Sequence, residues 1–280
     1  MAARASPGLV EMLLGKGPGL FRVEDVDIRN GDHMVGVRLY HPGATITGVA
    51  LFLHGGGWVR GSIDSYDAYA RILAKRSGVT IASIDYRLAP EHSFPAGLED
   101  CMAVLRWAAG EFSPEGTPRT LTLVGESAGG NLAAAAAMLA SRQGIKISGQ
   151  VLIYPVTDYA LDTASYRRFG ERALLTRAAM ANFWDLYAAG HDRRDFRLSP
   201  LRAGDLRGTA PAFILTAGRD VLRDEGEAYG AKLEAAGVPT LVRRYESLPH
   251  GFIALERLSH AARQANDDVT AFLASVHTRA

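Results

Sequence analysis

The sequence predicts an α/β fold with a mostly parallel central sheet flanked by helices and a helical insertion on one side. Short runs of β-branched and aliphatic residues alternate with helical patterns along most of the chain. This alternation is interrupted once, between Tyr154 and Ala212, where helical patterns occur without a clear strand. Because loops at the carboxyl edge of a parallel sheet converge, we expect a functional site at the edge beneath the insertion.

The individual elements follow from local patterns in chain order. Two strand-like runs flank Asn30-Gly31, a pair that favours a tight hairpin turn, so the sheet is expected to begin with an antiparallel pair. The predicted strands are residues 21–28, 34–40, 49–53, 79–84, 121–124, 150–154, 212–216 and 240–245. The predicted helices are residues 66–75, 98–108, 128–141, 177–188, 225–236 and 259–276.

The interrupted region defines the expected domain organisation. A structureless loop of that length is improbable in a compact domain, so residues 158–206 are interpreted as an inserted helical cap. The alternative is a surface excursion without a function. Residues 21–157 and 207–280 then form the main domain. Residues 1–20 form a short N-terminal segment, which either contributes to a reduced cap or does not contribute to the cap.

Composition and charge favour a neutral small-molecule partner. Hydrophobic residues make up 48% of the 280 residues, which is enough to build a core around one sheet. A net charge of +1, without long blocks of one sign, disfavours a nucleic-acid-binding or polybasic membrane surface. No run approaches the length of a membrane span. Cys101 is the only cysteine and no signal-like apolar run opens the sequence, so a cytoplasmic location is expected.

A serine nucleophile is predicted in Gly125-Glu126-Ser127-Ala128-Gly129. This pentapeptide lies between a predicted strand and a long predicted helix, the context that a G-x-S-x-G elbow requires. Small residues suit a tight turn, and the helix directs the positive end of its dipole toward the serine oxygen. Ser127 is therefore the candidate nucleophile. The alternative is a serine that only caps the helix.

A second motif, His54-Gly55-Gly56-Gly57-Trp58, follows the predicted strand at residues 49–53. Consecutive glycines let backbone N–H groups face a cavity, and HGGG-type loops contribute to the oxyanion hole of lipases and esterases. The expected donors are the N–H groups of Gly56, Gly57 and Ala128. The alternative is a flexible glycine turn. His54 is expected to anchor the loop by hydrogen bonds and not to act as a base.

The general base and its acid are predicted from their positions after the last two strands. A serine hydroxyl needs an imidazole to accept its proton, and the sequence holds eight histidines. His250 follows the last predicted strand, which matches the order serine, acid, histidine. Asp220 follows the preceding strand through a glycine turn and is the favoured acid. Asp158 and Asp224 stay open as alternatives.

These motifs together resemble the hormone-sensitive-lipase-like group of microbial carboxylesterases, within the α/β-hydrolase superfamily. The resemblance covers roughly residues 22–275. It rests on His54-Gly55-Gly56-Gly57-Trp58, Asp85-Tyr86-Arg87-Leu88-Ala89-Pro90-Glu91-His92, Gly125-Glu126-Ser127-Ala128-Gly129-Gly130 and Pro249-His250-Gly251-Phe252.

The resemblance implies a serine esterase that hydrolyses short- to medium-chain carboxylic esters through an acyl-enzyme on Ser127. It implies no cofactor and no metal, a small ester as partner, and an oligomeric state that can include a homodimer. Trp58, Phe183, Leu186 and Tyr187 are expected to line the substrate pocket, unless the last three only pack the cap helix onto the body. Two alternatives stay open: an amide or formamide hydrolase with the same triad, and a catalytically silent ligand receptor.

Overall fold

The structure, a computed structural model, describes residues 9–112 and 120–278. Its strands are β1 (Arg22–Asn30), β2 (His33–His41), β3 (Gly48–Leu53), β4 (Thr80–Ile84), β5 (Thr120–Glu126), β6 (Gly149–Ile153), β7 (Ala212–Arg219) and β8 (Thr240–Pro249). They form one eight-stranded sheet in the order β1-β2-β4-β3-β5-β6-β7-β8. Pairing is antiparallel from β1 to β2 and from β2 to β4, and parallel between all other neighbours. The predicted α/β fold with a mostly parallel sheet is confirmed.

Helices cover both faces of this sheet. They are α1 (Leu9–Leu14), α2 (Asp67–Ser77), α3 (Ala96–Glu111), α4 (Ala128–Arg142), α5 (Ala164–Phe169), α6 (Arg177–Ala188), α7 (Arg223–Ala235) and α8 (His260–Thr278). None of these helices in the described part of the chain is long and apolar enough to cross a membrane. Helix α1 was not predicted, and residues 1–8 of the predicted N-terminal segment lie outside the described residues.

The sheet separates two hydrophobic cores. Successive residues of a strand point to opposite faces, so Leu51 and Leu123 enter the core shared with α3, α4 and α7. Their neighbours Phe52 and Val124 enter the opposite core, which α1, α2 and α8 cover. Helix α4 is rich in alanine and almost entirely buried, so it lies close against the middle of the sheet. This central position holds the start of α4 firmly at the carboxyl edge.

The first hairpin differs from the prediction by one residue. Asn30 pairs with His33, so the two turn residues are Gly31 and Asp32 instead of Asn30 and Gly31. Gly31 has a φ of 61°, a left-handed conformation that glycine adopts at little cost. Asn30 instead continues β1, and its side-chain amide donates a 2.8 Å hydrogen bond to the buried Asp100 carboxylate. Asn30 therefore belongs to the strand and contacts α3, and it is not a turn residue.

The segment between β6 and β7 contains α5 and α6 and, in this fully described stretch, no strand. Trp184 of α6 is fully buried, and it joins the core on the α4 side of the sheet. The helical character of the segment therefore agrees with the prediction. Its division from the body at residues 158–206 stays a prediction.

Candidate active site

Ser127 occupies a sharp turn between a buried strand and a buried helix. β5 ends at Glu126 and α4 begins at Ala128, which leaves Ser127 alone at the corner. Its φ of 55° and ψ of −119° lie in a region that costs energy for a residue with a Cβ. The backbone N–H of Ser127 donates to Ile153 O at 2.9 Å on the neighbouring strand. The turn therefore directs the hydroxyl away from the sheet.

The glycines on either side of Ser127 are required by close backbone packing. A Cβ built on Gly125 would lie 2.1 Å from Gly129 O, well inside van der Waals contact. A Cβ built on Gly129 would lie 2.0 Å from Leu53 O, at the end of the neighbouring strand β3. Any side chain at either position would separate α4 from the sheet. The motif thus has a packing reason at both glycines, in addition to the conformation of the serine.

Strands β7 and β8 bring a carboxylate and an imidazole together. Both strands run beyond their predicted ends, and Arg219 of β7 pairs with Pro249 of β8. Asp220 and His250 are the residues that follow this pair, so they emerge side by side. His250 Nδ1 lies 2.7 Å from Asp220 Oδ2, and His250 Nε2 lies 3.0 Å from Ser127 Oγ. The structure therefore brings the three sequence-predicted residues into one hydrogen-bonded chain.

The surroundings of this chain select the tautomer of the imidazole. Asp220 is fully buried, and its other oxygen accepts the N–H of Leu222 at 3.2 Å. A carboxylate only accepts, so Nδ1 carries the proton and Nε2 is free to take one from the serine. Burial acts to lower the pKa of His250, but the charge and hydrogen bond of Asp220, with a contribution from Glu126, raise it above its ordinary value.

The two alternative acids are engaged elsewhere. Both oxygens of Asp158 accept hydrogen bonds at 2.8 Å from the guanidinium of Arg202. Asp224 accepts the N–H of Ser165 at 2.7 Å and pairs with Arg223 at 2.8 Å. Asp158 thus joins the two ends of the inserted segment, and Asp224 connects α7 to that segment. Neither is hydrogen-bonded to an imidazole in the described part of the chain.

The glycine loop after β3 has an unusual backbone. Gly56, Gly57 and Trp58 all have positive φ, at 114°, 63° and 61°. Gly56 O accepts hydrogen bonds from the N–H groups of Val59 at 3.3 Å and Arg60 at 3.2 Å. Since a trans peptide directs its C=O and N–H to opposite sides, the N–H of Gly57 points away from that turn. This leaves a backbone donor on the other side of the loop.

Ala128 provides a second unused donor. It is the first residue of α4, and the first N–H groups of a helix have no acceptor within the helix. The first helical bond of this turn is donated by Asn131 to Ser127 O at 3.1 Å. The positive end of the helix dipole adds to the field of this donor. The predicted oxyanion-hole residues thus follow the ends of two neighbouring strands, β3 and β5.

A buried carboxylate behind the nucleophile supports the glycine loop. A Cβ built on Gly55 would lie 1.7 Å from Glu126 Oε1, so the loop passes directly over this carboxylate. The hydroxyl of Tyr66 donates a 2.5 Å hydrogen bond to the same oxygen. Burial raises the pKa of Glu126, while the bond from Tyr66 and the charge of His250 oppose that rise. Sequence reasoning did not identify Tyr66 as part of the site.

His54 serves the loop and not the proton transfer. Its ring is fully buried between Tyr66 at 5.5 Å and Tyr86 at 4.4 Å, with both pairs stacked. Its Nδ1 lies 2.8 Å from Gly55 O, and the hydroxyl of Tyr86 donates to His54 O at 2.7 Å. These contacts fix the start of the glycine loop, as expected from the sequence.

The four predicted pocket residues occupy different environments. The ring of Phe183 is partly exposed and lies against the glycine loop, because a Cβ built on Gly57 would be 2.5 Å from Phe183 Cγ. Leu186 is also partly exposed. Trp58 and Tyr187 instead stack on each other at 4.4 Å and are only 1% and 2% exposed. Substrate contact by these two rings stays a prediction, and their burial argues against it.

Comparison with known proteins agrees with this geometry. Residues 50–254 match the model of a family described by the alpha/beta hydrolase fold. A carboxylic ester hydrolase of Mycobacterium tuberculosis is 39% identical over 261 residues, which cover 90% of this chain and 69% of that protein. An arylesterase of Saccharolobus solfataricus is 36% identical over 84% of this chain and 78% of its own length.

A solved structure resembles the fold over nearly its whole length. It is a thermophilic carboxylesterase cloned from a metagenomic library, with a TM-score of 0.90 and 36% sequence identity. The superposition covers 95% of this chain and 93% of that protein. In the described part of this chain, no group of three or more His, Cys, Asp or Glu side chains could hold a metal ion.

Proposed function

We propose a reaction for this chain from the premise that it belongs to the alpha/beta hydrolase family, in its hormone-sensitive-lipase-like branch of microbial carboxylesterases. The chain is a serine esterase that hydrolyses carboxylic esters. The observation that carries the mechanism is the hydrogen-bonded chain from Ser127 through His250 to Asp220. We assign these residues as nucleophile, general base and orienting acid.

Acylation begins with attack of Ser127 Oγ on the ester carbonyl. His250 Nε2, 3.0 Å away, accepts the hydroxyl proton and then donates it to the departing alcohol. Asp220 keeps the proton on Nδ1 and stabilises the imidazolium that forms. Water then attacks the acyl-serine with the same base, which releases the carboxylic acid and restores the enzyme.

The tetrahedral oxyanion is bound by backbone donors. We assign this role to the N–H groups of Gly56, Gly57 and Ala128. The Gly57 N–H points away from the turn closed on Gly56 O, and the Ala128 N–H lies at the start of α4. One such donor contributes about 3 kcal/mol of transition-state stabilisation in serine hydrolases. The supports behind the loop, Glu126 and Tyr66, keep these donors in position before the substrate arrives.

We propose short- to medium-chain esters as the substrates and residues 158–206 as a cap that limits their length. The supporting observation is that Phe183 of α6 lies directly on the glycine loop, beside the position of the reacting carbonyl. Leu186, one position from the buried Tyr187, is the second candidate for this surface. A cytoplasmic location and a homodimer are part of the same proposal and rest on the sequence alone.

The reaction is tested with p-nitrophenyl esters from acetate to octanoate beside matched aryl amides. Wild type is expected to hydrolyse the esters, and Ser127→Ala is expected to lose several orders of magnitude in kcat. A phosphonate inhibitor should label Ser127 covalently, which peptide mass spectrometry can locate. Amide turnover faster than ester turnover would favour the amide hydrolase. Absence of turnover and labelling would favour the silent receptor.

A further inference from the structure

Arg60 follows the glycine loop and remains beside it. Its backbone N–H closes the turn by donating to Gly56 O at 3.2 Å. A Cβ built on Gly56 would lie 3.0 Å from Arg60 Cγ, so the aliphatic part of the side chain runs along the loop. The residue is exposed to solvent. Arg60 therefore lies at the outer rim of the oxyanion loop and not in the body of the protein.

The guanidinium of Arg60 is placed by a ring that also touches the oxyanion loop. Arg60 Cζ lies 5.5 Å from the centroid of the Phe183 ring, within the range of a cation–π contact. The same ring lies against Gly57, at 2.5 Å from the position that a Cβ would take there. The Phe183 ring thus contacts the Arg60 guanidinium on one side and Gly57, which holds the backbone donor, on the other.

This cation has no acidic partner in the described ranges 9–112 and 120–278. No hydrogen bond or ion pair involves the Arg60 guanidinium there. Asp64, four residues later, accepts from Arg38 at 2.8 Å instead. Arg202, in contrast, donates to both carboxylate oxygens of Asp158. Arg60 is therefore a charge at the site that the protein itself does not neutralise.

The N–H groups of the Arg60 guanidinium are available to a ligand, because the side chain is exposed and donates no hydrogen bond within the described ranges. These N–H groups form a planar fork that can bind both oxygens of a carboxylate. We propose that Arg60 forms an anion subsite for a carboxylate at the far end of the substrate. The substrate class is then half-esters of dicarboxylic acids, with the ester carbonyl at Gly57 and the free carboxylate at Arg60. This inference rests on the proposed esterase function.

The test compares two methyl esters of equal chain length, monomethyl adipate and methyl hexanoate. The measured quantity is the ratio of their kcat/KM values, which cancels any general effect on the triad. Arg60→Gln is expected to lower the ratio of half-ester to neutral ester about tenfold, since it removes one charge-assisted hydrogen bond. Arg60→Lys should retain part of the ratio. Added NaCl should lower the ratio in wild type and not in Arg60→Gln.

Arg29→Gln is the matched control, because Arg29 is an exposed arginine on β1 and its loss changes the net charge equally. It should leave the ratio unchanged. An unchanged ratio in Arg60→Gln, or an equal loss for both esters, would overturn the subsite. If wild type hydrolyses no ester, the proposed function fails, and calorimetric binding of adipate to wild type and Arg60→Gln still decides the subsite. Equal affinity of the two proteins would overturn it.

Discussion

Replacement of Gly57 by alanine tests whether the glycine loop holds an oxyanion donor. Two effects of the added methyl follow from the structure. The φ of 63° is unfavourable for alanine, at a cost of about 1–2 kcal/mol to folding. The methyl would also lie 2.5 Å from Phe183 Cγ, where ordinary contact begins at 3.4 Å. Either the loop or the ring must therefore move by most of an ångström.

A shift of that size is comparable to the tolerance of an oxyanion hole. Loss of one donor costs about 3 kcal/mol, which corresponds to a fall of roughly 10² to 10³ in kcat. We expect Gly57→Ala to show a fall in this range with p-nitrophenyl acetate. KM should change little, because the oxyanion forms only in the transition state.

Gly31→Ala is the control for the backbone cost alone. Gly31 has a φ of 61°, almost the same as Gly57, and nothing lies within 4 Å of its built Cβ. It should lower the melting temperature without lowering kcat. The double variant Gly57→Ala/Phe183→Ala removes the overlapping ring and should recover part of the lost kcat, a non-additive result. A kcat for Gly57→Ala within tenfold of wild type, or a double variant without recovery, would refute this reasoning.

Four further predictions concern the triad and the cap. Asp220→Asn should lower kcat about 10⁴-fold because it stabilises the wrong tautomer, whereas Asp224→Asn should stay within tenfold of wild type; similar losses would reverse the assignment. His250 must be unprotonated to act as the base, so kcat/KM should fall as the pH decreases through the pKa of His250, which lies above the ordinary value of histidine. A pH–rate profile that stays flat from neutral to acidic pH would exclude the imidazole as base. Phe183→Ala should change the kcat/KM ratio of octanoate to butyrate esters, by about 1–3 kcal/mol per methylene group accommodated. Tyr187→Ala should instead lower the melting temperature at an unchanged chain-length profile, and the opposite pattern would place Tyr187 in the pocket.

Much of the sheet could be predicted because the central strands are short apolar runs, while the outer strands β1 and β8 begin with alternating or β-branched residues. The site residues could be predicted because the elbow, the glycine loop and the last two strand ends have distinctive residues in a fixed order. Helix α1 was missed, since six residues are too few to show helical periodicity. The extra length of β7 and β8 was also missed, because the added residues include glycine, charged residues and proline, and they pair only with each other.

Contacts between distant parts of the chain were beyond the reach of local patterns. Tyr66 and Glu126 are 60 residues apart, and nothing in either segment indicates that one hydroxyl binds the other carboxylate. The cap helix is a similar case. The aromatic residues of α6 predict an amphipathic helix, but they do not indicate which ring contacts the glycine loop. In the structure Phe183 makes that contact, whereas Tyr187 is buried against Trp58.

The position of β8 bears on how the activity is lost under stress. β8 is an outer strand with β7 as its one neighbour, and half of its residues are exposed. Ser127, in contrast, follows a fully buried strand in the middle of the sheet. Edge elements open locally at lower free energy than central ones. Local unfolding of β8 would move His250 away from Ser127, while the amides of the central strands would stay protected from hydrogen exchange. Loss of activity therefore requires only local unfolding at this edge of the sheet, and not unfolding of the whole protein.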